Sequence, residues 1–382
     1  MMDLFKLKDK NMIKIPLIAL GIWFLTILAL MLLAIGSDNQ PHTFGDVYMR
    51  FVSRWDSNSF VQIARDGYVL EGDQRYLIAF LPLYPYTMRF LHLLTGMEVW
   101  LCGVVISTIC GQAAALVLYR LLLKNMDRED ALFGVILFLL YPFSFFMMTG
   151  MSESMYLLFL FLTVYYIREE KFIISGIFAF LTTLTRLPGL SVGIVMFYEF
   201  AKNFIRWCKK KDRVLLQKLL KLALAMLMAL AGFAVYMQIN HALFGDPLQF
   251  MKFQQENWSQ HMTSPIEVFK TAIMQLTSAD SYGASFTVGV GAANLFAFFV
   301  FTAGLVWCLA KKNWRDAVYQ ALYSFLCLSA SWLLSGARYT LGAYPIFEMQ
   351  AALSRKHKTT AAVVYAVFYL VMCWFYYQNA IY

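Results

Sequence analysis

The sequence predicts an all-α polytopic membrane protein with about eleven transmembrane helices, and two observations carry that expectation. The 382 residues are 60% hydrophobic, 17% aromatic and only 14% charged, a composition outside the soluble globular range. Apolar runs approaching the roughly 20 residues that span a hydrocarbon layer alternate with short charged segments along the whole chain. The formal net charge of +9 then reads as lysine and arginine retained on the cytoplasmic side of a bilayer, and not as a nucleic-acid surface. With no internal repeat, linker or low-complexity tract, residues 1–382 read as a single transmembrane domain. The six cysteines are scattered, mostly inside apolar runs, without a CxxC pair, which supports neither a disulfide framework nor a zinc site.

The first apolar run, Ile15–Ile35, follows Lys6, Lys8, Lys10 and Lys14. It exceeds a signal-peptide core of about 7 to 15 residues and reads as a retained anchor. A polar and acidic stretch, Ser37–Arg75, comes next. It leads into Tyr76–Gly96, which is apolar but holds Pro82, Pro85, Arg89 and His92. Ten further runs, at roughly 99–119, 131–149, 153–167, 172–186, 188–205, 219–240, 290–310, 317–335, 339–354 and 360–379, read as crossings.

Whether Tyr76–Gly96 crosses decides the sidedness of everything after it. If it does not cross, 23 basic residues lie inside and 9 outside; if it does, 8 lie inside and 23 outside, with Arg89 buried. The bias of basic residues toward the cytoplasm selects the first arrangement. Tyr76–Gly96 is then a re-entrant or interfacial helix, the N-terminus is inside and the C-terminus outside. The outer face gains a first loop, 37–96, with amphipathic and re-entrant helices, and a second large loop, 241–289.

Four outer features carry chemistry-bearing residues, each with a plainer reading beside it. Apolar residues at 51, 52, 55, 60, 63 and 64 fit an amphipathic surface helix. That helix sets Asp56 beside Trp55 at the bilayer lip, where partial desolvation suits a general base; the alternative is a cap, or a salt bridge to Arg54 or Arg65. Phe80–Pro85 reads as a turn opening a helix. Glu153, in Gly150-Met151-Ser152-Glu153-Ser154, is either an ordinary first-turn acid behind a Ser152 cap or a ligand for the acceptor or a divalent cation. Arg186 and Arg338 run against the charge bias, so they either snorkel to headgroups or bind phosphate. His42, His241 and His261 are isolated and read as bystanders.

Taken in order, WDS at Trp55–Ser57, IARDGY at Ile63–Tyr68, FLPLYP at Phe80–Pro85, SES at Ser152–Ser154, TRLPGL at Thr185–Leu190 and RY at Arg338–Tyr339 resemble the GPI mannosyltransferase II (PIG-V-like) family. That family has bacterial members and belongs to the GT-C class of membrane glycosyltransferases. The resemblance implies many transmembrane helices, surface helices in the first outer loop and a polyprenyl-phosphate-linked sugar donor. It also implies that Asp56 is the catalytic acid of the first-loop motif. Where the family often carries a His after the WD, Asn58 and Ser59 stand here.

The reading that joins these strands is a hexosyltransferase, mannosyl by resemblance, that inverts the anomeric carbon with Asp56 as general base. Trp55, Asp66, Glu153, Arg186, Arg338 and Tyr339 are the candidate substrate-binding residues. Its partners are a polyprenyl-phosphate-linked donor, a glycan or glycolipid acceptor and membrane lipid. Its place is the cytoplasmic membrane with the active site on the outer face, or the endoplasmic reticulum membrane in a eukaryote. The alternative is a lipid or solute transporter, which calls for ionisable residues near the bilayer midplane and often a repeated half; the apolar runs are nearly free of charge. The topology is directly testable by single-cysteine labelling in a cysteine-free background. An impermeant reagent should reach position 257 in intact cells and miss position 210; the reverse pattern would invert the arrangement.

Overall fold

In the computed structural model, residues 9–38, 40–277, 286–331, 333 and 336–379 are described. Of the sequence expectations, Lys6, Lys8, Ser335 and residues 278–285 of the second loop lie outside them. Among the described residues, most of each apolar run is helical, with breaks at polar or proline positions. The first three helices are α1 (Asn11–Asp38), α2 (Phe44–Val52) and α3 (Asp56–Asp66). After a 3-10 turn at Asp73–Ala79 come α4 (Leu83–Thr95), α5 (Val99–Leu122) and α6 (Arg128–Leu139). Then follow α7 (Glu153–Arg168), α8 (Phe172–Thr185), α9 (Val192–Lys210) and α10 (Arg213–Phe244). The remainder is α11 (Gln249–Trp258), α12 (Pro265–Thr277), α13 (Ala293–Ala310), α14 (Trp314–Cys327), α15 (Pro345–Leu353) and α16 (Lys358–Tyr377). Among the described residues there is no strand, only an isolated bridge between Met262 and Ala330.

Among the described residues, five helices are long and apolar enough to cross a membrane, and the bent pair Asp73–Ala79 and Leu83–Thr95, turning by 109°, would make a sixth. The other expected crossings correspond to shorter or more polar helices. The bend falls at Leu81-Pro82, and Pro85 sits in the first turn of α4, where a missing N–H is tolerated.

The structure refines the expectation from sequence in two places. The single amphipathic helix expected across 51–64 is two helices, parted at Ser53–Trp55, although Phe51, Val52, Phe60, Ile63 and Ala64 are buried as its periodicity required. The second loop is largely helical, since α10 runs on to Phe244 and α11 and α12 follow.

Caps and charges order the bundle end to end. The side chain of Asp127 accepts from the N–H groups of Glu129 and Asp130 to start α6, and that of Asp212 accepts from Val214 to start α10. Helix starts and ends at this pole carry the basic residues, several of them paired across helices. Arg168 meets Asp316 at 2.6 Å, and Lys358 meets Glu129 at 2.7 Å and Asp130 at 2.8 Å. The exposed pairs contribute little. The buried Arg168–Asp316 pair, which also receives the Tyr344 hydroxyl at 2.6 Å, is costly to break because one charge would be left unpaired.

Small residues bring α8 and α10 into contact. A Cβ on Gly176 would lie 2.8 Å from Ala225 Cα, and Thr183 Oγ1 donates to the Ala229 carbonyl at 2.9 Å. Without water to drive apolar association, such close backbone approach is what holds membrane helices together. Gly176→Val should therefore destabilise the protein by about 1–3 kcal/mol through overpacking. A thermal-unfolding midpoint equal to that of the wild type would show that the pair has room to spare.

Candidate active site

The end of the bundle opposite the basic helix ends is where helices break, and the breaks carry the acids and arginines. Between α2 and α3 the chain turns sharply at Trp55, whose φ of 49° and ψ of −124° are unfavourable for a residue with a Cβ. Such a conformation costs on the order of 1–3 kcal/mol and persists only where neighbours hold it. Here they do. The Arg54 N–H donates to Ser57 Oγ at 2.9 Å, and Ser57 Oγ donates to the Val52 carbonyl at 2.8 Å. The buried Arg54 guanidinium donates to the Arg50 carbonyl at 2.6 Å, to the Tyr376 carbonyl at 2.8 Å and to the Asn379 side chain. The turn is thus tied to the C-terminal helix, and it delivers Asp56 as the first residue of α3.

Asp56 pairs with neither Arg54 nor Arg65. Arg65 lies 3.7 Å from Glu98 at the surface. The partner of Asp56 is Arg338, whose Nη2 donates to Asp56 Oδ2 at 2.7 Å. Arg338 Nε also approaches Glu153 Oε1 at 2.9 Å, and Arg186 Nη1 donates to the same oxygen at 2.5 Å and to Ser152 Oγ at 3.1 Å. Asp56, Arg338, Glu153 and Arg186 thus form a continuous chain of alternating charge. Ser152 serves Arg186 and makes no side-chain cap for α7. Burial opposes the charge on Arg338, but Glu153 and Asp56 outweigh it and hold the guanidinium above its ordinary range. The rings of Phe146 and Tyr339 lie 5.0 Å from the Arg338 and 5.4 Å from the Arg186 guanidinium carbons.

Arg338 rides on a 3-10 segment, Gly336–Gly342, that hydroxyls and one amide clamp. Tyr323 OH donates to the Tyr339 carbonyl and Tyr319 OH to the Gly342 carbonyl, each at 2.7 Å, while Tyr141 OH meets Thr340 Oγ1 at 2.8 Å. Asn294 donates to the Leu333 carbonyl at 2.7 Å and accepts from the Gly336 N–H at 3.1 Å. A Cβ on Gly336 would lie 2.5 Å from that amide oxygen, so any larger residue would displace the Asn294 side chain.

These groups border a cavity of about 670 Å³. Trp55, Asp56, Ser152, Arg186, Arg338 and Tyr339 line it. Glu153 is buried behind the arginines, with Oε2 lacking a hydrogen-bond partner. Ser59 reaches the cavity, whereas Asn58 borders a separate small cleft with Met88 and Trp100. Asp66 is not brought in: it is exposed at the far end of α3, ten residues and about 15 Å along the helix from Asp56. Missing from the sequence reading are Gln254, Trp258 and Gln260, which line the cavity from α11 and the residues after it. The edge contacts of Trp258 with Tyr76 at 6.5 Å and Phe80 at 6.2 Å fix its ring there. The clustering of Gln and Trp in the second loop was the available signal.

Among the described residues no group of three His, Cys, Asp or Glu converges, and Asp56 at the cavity and Glu153 behind it are both engaged by Arg338.

A family model described as Mannosyltransferase (PIG-V) matches residues 41–246. Among solved structures, ArnT from Cupriavidus metallidurans, in a crystal structure with undecaprenyl phosphate, is similar with a TM-score of 0.50 and 11% identity, over 96% of this chain and 76% of that one. The Archaeoglobus fulgidus oligosaccharyltransferase, crystallised with zinc and sulfate, has a TM-score of 0.44 and 14% identity over 87% of this chain; this chain spans 48% of its length. No curated protein matches by sequence. The fold is thus of the GT-C kind that the motif order implied.

Removing Arg338 would leave Glu153 buried with its charge only partly matched. Breaking a buried pair costs about 3–5 kcal/mol, so Arg338→Met should lower the thermal-unfolding midpoint clearly. Adding Glu153→Gln should restore a good part of the loss. Wild-type stability in Arg338→Met alone would mean that the charge chain does not hold the site together.

Proposed function

We propose that this chain, which belongs to the PIG-V mannosyltransferase family, moves a hexose, mannose by family, from a polyprenyl-phosphate-linked donor to a glycan or glycolipid acceptor. The transfer takes place at the outer face of the cytoplasmic membrane and inverts the anomeric carbon. The observation that carries the proposal is the charge chain from Asp56 to Arg186 at the wall of a cavity large enough for a sugar and a headgroup.

Each residue has a chemical role. Asp56 reaches the cavity with Oδ2 held by Arg338, and Oδ1 accepts no hydrogen bond among the described residues. That second oxygen takes the proton of the acceptor hydroxyl as the hydroxyl oxygen forms its bond to the anomeric carbon. The bond from the anomeric carbon to the phosphate oxygen breaks on the opposite side, and polyprenyl phosphate leaves as an anion. Arg186 uses only Nη1 toward Ser152 and Glu153, so its remaining donors are open to the donor phosphate and to the negative charge that grows on it. Glu153 keeps both guanidiniums in place without entering the cavity. Trp258, Gln254 and Tyr339 supply a ring face and amide groups for sugar hydroxyls. The reaction needs orientation more than acid assistance, because the leaving group is already stable.

Asp56→Asn keeps an oxygen to accept from Arg338 but cannot take a proton. Transfer from radiolabelled polyprenyl-phosphate mannose should fall by about 10²- to 10⁴-fold in this variant, while Asp66→Asn stays near wild type. GDP-mannose should not replace the lipid-linked donor. A monodisperse Asp56→Asn protein with wild-type rate would remove Asp56 from the base role, and transfer from GDP-mannose without lipid carrier would remove the donor assignment.

A further inference from the structure

A second cavity, of about 650 Å³, opens at the basic pole of the bundle. Glu153 and Arg168 are the two ends of α7, so the walls of the two cavities are about 22 Å apart along that helix. Five cations line the second one, Lys124, Arg168, Lys311, Lys312 and Arg315, against a single acid, Glu348. We propose that it binds the phosphate headgroup of an anionic phospholipid.

The charge balance supports an anion. Lys124 is paired with Glu169, Arg168 with Asp316 and Arg315 with Glu199. Glu348 accepts from Asn125 Nδ2 at 2.8 Å. Lys311 and Lys312 have no carboxylate partner among the described residues; the ammonium of Lys311 lies 4.7 Å from the centre of the Trp307 ring. Arg168, whose side chain is 9% exposed, keeps Nε without a hydrogen-bond partner. The two lysines are also held in place. They form the turn between α13 and α14, in which the N–H groups of Lys311, Lys312 and Asn313 donate at 2.9 Å to the carbonyls of Trp307, Leu309 and Cys308.

The surroundings select a lipid over a free anion. Met126, Trp307 and Ala352 make up an apolar part of the wall, and Val306, Leu309 and Leu353, on the helices that carry Trp307 and Ala352, are exposed apolar residues. A headgroup phosphate in the cavity would leave its acyl chains on these surfaces. Basic pockets between membrane helices bind anionic headgroups in this way, and each lysine near the surface contributes about 1 kcal/mol.

The test is binding of phosphatidylglycerol, phosphatidylcholine and inorganic phosphate to delipidated protein in neutral detergent, followed by native mass spectrometry. Both lysines are exposed and form no salt bridge among the described residues, so Lys311→Gln with Lys312→Gln leaves the fold undisturbed. It should weaken phosphatidylglycerol binding by about thirtyfold, from two such contributions. Lys311→Arg with Lys312→Arg should keep the affinity. Lys209→Gln with Lys210→Gln and Lys211→Gln, at a basic turn outside the cavity, should not change it. Equal loss in that triple variant, or equal binding of phosphatidylcholine, would overturn the proposal. So would displacement of phosphatidylglycerol by inorganic phosphate, which would give the site to a free anion.

Discussion

The contact on which the site depends is that of Arg338 with two acids at once. Asp56 comes from the first polar segment, Glu153 from the start of α7 and Arg338 from a 3-10 segment almost two hundred residues further on. Burying any one of these charges alone would be prohibitive in a largely apolar molecule. Buried together, with Arg186 completing the chain, they cancel in sign and bind three distant parts of the chain to one another. The same arrangement leaves Asp56 and Arg186 at the wall of the cavity.

The protein meets the geometric demands of this contact by breaking its helices on one side. The turn at Trp55 parts two short helices of the first polar segment, and the bend before α4, the turn ahead of α7 and the 3-10 segment bearing Arg338 interrupt apolar runs. Free backbone groups at such breaks need partners. The hydroxyls of Tyr319, Tyr323 and Tyr141 and the amide of Asn294 supply them around Arg338, and Ser57 and Arg54 do so around Trp55. Rigid scaffolding and an unusual backbone therefore occur together, as expected where a charged group must be held to within a fraction of an ångström.

The two poles use charge differently. At the pole of the site, unlike charges are matched one to one and shielded. At the other pole, basic residues exceed the acids that pair with them, and the surplus is left at helix ends and in a cavity whose wall is partly apolar.

Much of the fold was legible in the sequence, because the apolarity of a run is a local property and the apolar runs are mostly helical among the described residues. The motif set was legible too, since WDS, SES, TRLPGL and RY contribute Asp56, Glu153, Arg186 and Arg338 to one place. What periodicity could not locate was the break at Ser53–Trp55, which depends on the reach of Arg54 to the C-terminal helix. Nor could it exclude Asp66, whose distance from Asp56 follows from the direction of α3. The amides and indole of α11 were hidden for the same reason, because their approach to the cavity depends on how the segment after α10 folds back. The sequence by itself determined an all-helical membrane protein and the residue types of its chemistry. Only the tertiary structure decided which charges meet, because pairing between groups hundreds of residues apart is set by packing and by the need to neutralise buried charge, neither of which is written in any local stretch of chain.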